Sequence, residues 1–316
     1  MKTGIGKAHG KIIFMGEHSV VYGYPAIALP FRAVEMTAKI TPSDCSTTLD
    51  SDLYQGDLLS CPPHLTNIKL LIEKLMMDYL PNQHTHVQVT SSIPAERGMG
   101  SSASVACAII RAFFDYLDQP IATDTLLKYA DFAEEISHGN PSGLDARLTA
   151  LDQPLLYRKN EPITPFHFQT PYWLVVADTG IPGETKAAVA AVREGVDQEK
   201  ITENQPFSDA LHHLGKLVTK LRACLVDTQA HNRYAELSSL INQAQQDLKT
   251  LTVSSHALDQ GISYCQTHHV PAKLTGGGRG GCYLALANNK AQAEQLAQQL
   301  ENNGLAIKTW LMPFAS

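Results

Sequence analysis

The sequence predicts a mixed α/β (α+β) chain in two domains, and three observations predict it. With 316 residues and 44% apolar content, the chain can bury more core than one medium domain needs. Strand-like and helix-like segments intermix in its first half. A proline-punctuated stretch (Pro154, Pro162, Pro165, Pro171) with little periodicity then precedes an apolar strand run. That places a boundary near residue 168, with a first domain over 1–168 and a second over 169–316.

Lys11 to Phe14 reads as a short strand, and Ala33 to Ile40 alternates with Val34, Met36, Ala38 and Ile40 on one face. Tyr54 to Asp57 reads as a hairpin turn, Thr66 to Leu80 as a helix, and Val87 and Val89 as one face of a further strand. Val105, Ile109, Ala112, Phe113 and Tyr116 recur at helical spacing, and Asp124 is placed to cap a second helix reaching about Ser137. The second half opens with the buried strand Tyr172 to Ala177, followed by helices over 185–197, 208–227, 233–250 and 255–269. Strands Lys273 to Thr275 and Tyr283 to Ala287 flank GGGRGG, and a helix over 290–302 and a strand from Leu305 to Leu311 close the chain. This order folds as a split βαβ unit with extra helices.

Composition narrows the function. Lys and Arg number 25 against 31 Asp and Glu, a formal charge of −6, which argues against general affinity for nucleic acid. The six cysteines form no C-x-x-C pair, Cys107 and Cys282 lie inside apolar runs, and the set reads as buried reduced thiols. MKTGIGKAHGK has no apolar h-region, and the most apolar helix is interrupted by Arg111, so no membrane association and a cytoplasmic location are expected.

PAERGMGSSAS, from Pro94 to Ser104, lies between a strand-like and a strongly helical segment. Gly98 and Gly100 let backbone N–H groups approach an anion, and Ser101 and Ser102 open a helix at its positive dipole end. The loop suits a phosphate, although an ordinary serine-capped glycine turn has the same local pattern. A Rossmann reading fails because Asp118 to Ser137 gives a turn and a helix where a second strand ending in an acidic residue is needed. A Walker A reading fails because Lys7, Lys11 and Lys216 lack the earlier glycine and the following Ser or Thr.

Glu134 shares a helical stripe with Leu127 and Ala130, so it faces inward while Glu135 turns away. An inward carboxylate needs a partner, either Mg²⁺ accompanying bound phosphates or an Arg or backbone donor. Eleven residues on, HGNPSGLDARL puts Asp145 at the third position of a helix that Ser142 would cap, so Asp145 suits capping as well as catalysis. The turn over 139–143 brings it back toward Glu134. Phosphoryl transfer needs anchored phosphates, Mg²⁺, a cation on the transferring group and a base for the acceptor hydroxyl. Ser102 and Glu134 can hold the metal, Asp145 can be the base and Lys11 the cation, with a solvated surface lysine as the plainer alternative for Lys11.

KIIFMGEHSVVYG, PAERGMGSSAS and KLTGGGRGGC, in this order, resemble the three signature motifs of the GHMP kinases, which include galactokinase, homoserine kinase, mevalonate kinase and phosphomevalonate kinase. GEHSVVYGYPAIA, ISHGNPSGLDA and DTGIPGETKAAVAAV look most like the mevalonate-phosphorylating branch. The resemblance implies ATP and Mg²⁺ as cofactors and mevalonate as acceptor, and it admits a homodimer. Alternatives are another small-molecule kinase of the superfamily or a catalytically dead ligand sensor. It implies Ser102 and Glu134 as metal ligands, Asp145 as base and Lys11 beside the base and the γ-phosphate. It sets Pro94, Arg97, Gly98, Met99, Gly100, Ser101, Ser102 and Ala103 at the ATP phosphates, with Gly277, Gly278 and Arg279 closing against them. Glu17 and His18 are implied at the acceptor, His18 otherwise being a core histidine, and Thr179 and Thr185 near the same cleft. The sequence departs from the family pattern at His9, in place of a proline, at Arg97, where a small residue is common, and at Arg279, which interrupts the glycines. The implied fold is an N-terminal domain like ribosomal protein S5 domain 2 and a ferredoxin-like C-terminal domain.

Overall fold

In a computed structural model of the chain, residues 2–94, 97–138, 143–200, 204–227 and 233–316 are described. They fall into two compact units: Met1–Lys11, Pro30–Pro94 and Met99–Asp152 in one, Ile12–Leu29, Ala95–Gly98 and Gln153–Ser316 in the other. Two long strands, β1 (Gly4–Met15) and β2 (Ala26–Ser43), contribute residues to both. They extend well beyond the short strands legible in the sequence.

In the first unit, β3 (Thr48–Ser51) and β4 (Tyr54–Asp57) form a hairpin. The segment expected to be its turn is therefore its second strand. Gly56 keeps an open backbone there, with φ 156°, and the Tyr54 hydroxyl donates to the Asp57 carbonyl at 2.7 Å. After α1 (Thr66–Tyr79), β5 (His84–Ser91) pairs antiparallel with β2, Met36 opposite Ser91, and parallel with β3. Val87 and Val89 are both buried, as their alternation predicts.

Helices α2 (Ser101–Tyr116), α3 (Thr123–His138) and α4 (Leu144–Leu151) complete this unit. Helix α2 is apolar on almost every side, burying Ala106, Cys107, Ala108, Ile109, Ile110, Ala112 and Phe113, as a helix packed on several neighbours must. Its small residues admit those neighbours closely. Asp124 lies inside the first turn of α3, where its charge suits the helix dipole, and not at the cap position expected for it. The Tyr129 hydroxyl donates to Asp78 at 2.6 Å, tying α3 to α1.

The second unit holds the start of β2 paired with β6 (Leu155–Tyr157), which also pairs with β7 (Thr164–Pro165). The proline-rich stretch thus contains two short strands that have no periodic signature. Then come β8 (Trp173–Asp178), α5 (Thr185–Glu199), α6 (Pro206–Val226), α7 (Arg233–Thr250), α8 (His256–Thr267), β9 (Ala272–Thr275), β10 (Cys282–Ala287), α9 (Lys290–Asn302) and β11 (Lys308–Pro313). The sheet order β11-β8-β10-β9, antiparallel throughout, is the ferredoxin-like split βαβ arrangement with helices inserted between β8 and β9. Its central strands, LVVA and CYLALA, are continuous apolar runs because both faces are covered. Phe14 stacks on Phe314 with ring centroids 4.7 Å apart, fastening the end of β1 to the last residues of the chain.

Candidate active site

In the first unit the glycine loop lies against the middle of β1. Lys11 N donates to the Met99 carbonyl at 2.9 Å, and Ser104 Oγ donates to the His9 carbonyl at 2.7 Å. Gly100, at φ 73°, packs so tightly on the lysine stem that a Cβ there would stand 2.5 Å from Lys11 Cγ. Only glycine meets both demands. Met99 and Ala103 are buried beneath the loop, and Ser101 is exposed at the first position of α2, where unpaired N–H groups favour an anion.

The loop brings two ion-handling pairs to one end of α2. Lys11 Nζ lies 3.1 Å from Asp145 Oδ1, the lysine side chain 10% exposed and the aspartate 34%. Lys11 is therefore no solvated surface lysine. Ser102 Oγ donates to Glu134 Oε1 at 2.8 Å. Glu134 is buried and Glu135 exposed, as the helical stripe predicts, although Leu127 is only half-buried and the inner stripe runs through Leu126, Ala130 and Ala133.

Asp145 sits in the first turn of α4, whose N-cap is Gly143, at φ 73° and without a side-chain cap bond. The expected turn over 139–142 and the Ser142 cap lie outside the described residues. Helix α4 is tied to α3 by Arg147, which donates to Asp131 Oδ1 at 2.9 Å and Oδ2 at 3.2 Å. This fork fixes the helix that carries Asp145 on the helix that carries Glu134.

Ser101 and Ser102 also line a cavity of about 540 Å³ in the same unit, a volume suited to a small-molecule ligand. Leu49, Val89, Val105 and Ile136 give it apolar walls, and Asn67 adds a polar edge. Sequence reasoning missed this cavity because its walls come from β3, α1, β5, α2 and α3, no one of which carries a motif for it.

The second unit gathers the other candidates. Glu17 and Lys273 form an ion pair with both side chains closed to water, 2% and 0% exposed. Burial pushes the Glu17 carboxyl up and the Lys273 ammonium down, and each partner opposes the shift of the other. Lys273 was absent from the sequence-based set. Its signal was a lysine in the wholly buried strand AKLT, which demands an anion. His18, at φ 62°, places Nε2 3.0 Å from the Gly277 carbonyl. A carbonyl only accepts, so Nε2 carries the proton. Burial lowers the His18 pKa to about 4, with the Gly277 bond opposing and the charges of Lys273 and Arg279 adding to the shift.

The glycines of GGGRGG allow close backbone approach, clearest at Gly277, where a Cβ would stand 2.2 Å from Thr185 Oγ1. Thr185 is the first residue of α5; the cap position belongs to Glu184, which makes no side-chain cap bond, so Thr185 is not the cap expected from sequence. Thr179 Oγ1 donates to the Gly281 carbonyl at 2.7 Å, holding the end of this loop. Gly278 is buried at φ 77°, and Arg279, half-buried at φ 57°, donates its N–H to the Val253 carbonyl at 2.7 Å. Pro94 is half-buried, Gly98 is exposed at φ 69°, and Arg97 is paired with Asp178.

The family model for the GHMP kinase N-terminal domain matches residues 67–152, and that for the C-terminal domain matches residues 221–306. The chain is 31% identical over 308 residues to a mevalonate kinase of Pyrococcus abyssi, covering 90% of this chain and 89% of that one. The crystal structure of a mevalonate kinase from methicillin-resistant Staphylococcus aureus matches with a TM-score of 0.76 at 29% identity, covering all of both chains. A Streptococcus pneumoniae phosphomevalonate kinase in complex with phosphomevalonate and AMPPNP matches at 0.78 with 19% identity, covering 98% of this chain and 99% of that one. The last likeness is one of fold alone, so shape does not select the acceptor. Sequence similarity does.

Proposed function

The chain belongs to the GHMP kinases, on their mevalonate kinase branch, and from that premise we propose that Asp145, Lys11, Ser102 and Glu134 carry its reaction. The reaction is ATP-dependent phosphorylation of the primary hydroxyl of mevalonate. The observation that carries the assignment is the pairing of Lys11 with Asp145 at 3.1 Å, Lys11 lying against the loop that leads to Ser102, which meets Glu134 at 2.8 Å.

Asp145 takes the proton of the acceptor hydroxyl. As that oxygen bonds to the γ-phosphorus, the bond from phosphorus to the β,γ-bridging oxygen breaks and ADP leaves. Lys11, paired with Asp145, holds it in place and offsets charge on the transferring group. The N–H groups at the start of α2 receive phosphate oxygens, and the adjoining cavity takes the nucleoside. Two protein oxygens, from Ser102 and Glu134, suit Mg²⁺, which prefers one or two carboxylates plus phosphate oxygens and water. When bound, that ion supplies charge neutralisation at the phosphates.

Pro94, Gly98, Met99, Gly100, Ser101 and Ala103 belong to the ATP side of this reading, with Gly277, Gly278 and Arg279. Glu17, His18, Thr179 and Thr185 belong to the acceptor side. A division of the chain at residue 168 goes with it; the matched family segments, 67–152 and 221–306, fall on either side. So do a cytoplasmic location and a homodimer. Among the described residues, no helix is long and apolar enough to cross a membrane.

An assay of ADP release from ATP and Mg²⁺ with mevalonate, phosphomevalonate, galactose and homoserine tests the reading. Turnover with mevalonate alone is expected. Absence of turnover with mevalonate would overturn it.

A further inference from the structure

Arg97 departs from the family pattern, and the resemblance sets it at the ATP phosphates without saying what it does there. Its Nε lies 2.7 Å from Asp178 Oδ1 and 2.9 Å from Oδ2, with the two side chains 12% and 3% exposed. A pair so closed to water is costly to break, because either charge left alone keeps its desolvation penalty. Asp178 is itself fixed. It ends β8, in register with Cys282 on β10 and Lys308 on β11, and its Oδ1 accepts from Gly180 N at 2.8 Å where the DTGIPG turn begins. Arg97 is thus fastened to the rigid end of a central strand one residue before Gly98, whose φ of 69° starts the glycine loop.

We propose that Arg97 is a positioning residue: anchored by Asp178, it holds the leading limb of the Gly98 to Ser102 loop in the conformation that receives the ATP phosphates. It acts on nucleotide affinity through the backbone, without touching a phosphate. This rests on the reading of that loop as the phosphate site.

A double-mutant cycle of Arg97→Gln and Asp178→Asn tests it, with KM for ATP, KM for mevalonate, kcat and melting midpoint measured for each variant. Each single change is expected to raise KM for ATP by about tenfold, with a smaller effect on KM for mevalonate, and the double variant to be no worse than either single. Arg97→Lys, which keeps the charge but loses the guanidinium N–H, is expected to behave like Arg97→Gln. A raised KM in Arg97→Gln alone, with Asp178→Asn and Arg97→Lys near wild type, would overturn the proposal in favour of direct phosphate contact. If Asp178→Asn does not fold, the comparison of Arg97→Lys with Arg97→Gln decides by the same rule. Ser102→Ala separates the two levels: an unaltered ATP response there would overturn the phosphate-loop reading and this proposal with it. An altered response there, with additive Arg97 and Asp178 effects, would overturn this proposal alone.

Discussion

Lys273 on β9 donates to Glu17, a residue 256 positions earlier in the chain, and neither side chain reaches water. The same lysine donates to the Leu274 carbonyl at 2.6 Å, and the Leu274 N–H is accepted by the buried Gln245 at 2.9 Å. Glu17 Oε2 has no hydrogen-bond partner among the described residues. The pair therefore balances two desolvated charges, with the backbone at Gly16 and Glu17 also favouring the carboxylate. It fastens the GEH segment to the strand that leads into GGGRGG.

Breaking that balance on one side is expected to be severe. Lys273→Met should cost about 3–5 kcal/mol of stability because Glu17 is left charged and buried. Removing the charge from both partners, in Lys273→Met with Glu17→Gln, should recover a large part of the loss. Thermal unfolding of the two variants checks this; a double variant as unstable as the single would contradict it.

His18 gives the protein an acid-sensitive contribution. Its pKa falls from an ordinary 6.5 to about 4, chiefly through burial, so the folded state keeps the ring neutral where the unfolded chain protonates it. The unfolded chain binds the extra proton between those two values, and stability is lost as pH falls through that window, by on the order of 3 kcal/mol in all. The drop in melting midpoint between pH 7 and pH 4.5 should be smaller in His18→Gln than in the wild type. Equal drops would remove His18 as the cause.

The cavity beside Ser102 is expected to hold the nucleoside of ATP. Ile136→Trp, which fills it, should raise KM for ATP by about tenfold while leaving KM for mevalonate much closer to wild type. An unchanged KM for ATP would place the nucleoside elsewhere.

Glu134 and Ser102 supply the proposed metal oxygens. Glu134→Gln removes an anionic ligand and should raise the Mg²⁺ concentration needed for half-maximal activity by about tenfold, with Ser102→Ala shifting it the same way. A superimposable Mg²⁺ titration would take Glu134 out of the metal site.

Much of this was legible in sequence where periodicity or glycine chemistry speaks locally. Glu134 turned inward because four-residue spacing put it on a buried helix face, and Gly100 marked the loop because its backbone lies in the left-handed region against Lys11. Spacing alone could not show that Lys11 meets Asp145, because the two lie on β1 and α4, far apart in the chain; only the family resemblance implied it. Lys273 escaped notice because its strand is too short to show that a buried cation is matched by an anion elsewhere. Tyr54 to Asp57 misled because a glycine in an extended strand looks, by composition alone, like one in a turn.

In the proposed reaction Asp145, held by Lys11, accepts the proton of the mevalonate hydroxyl. The most direct measurement is kcat for Asp145→Asn at saturating ATP and mevalonate, alongside the ATP dissociation constant of the same variant. The value of kcat is expected to fall by about 10²–10⁴-fold while ATP binding stays within about twofold of wild type. Near-normal turnover in Asp145→Asn would contradict it.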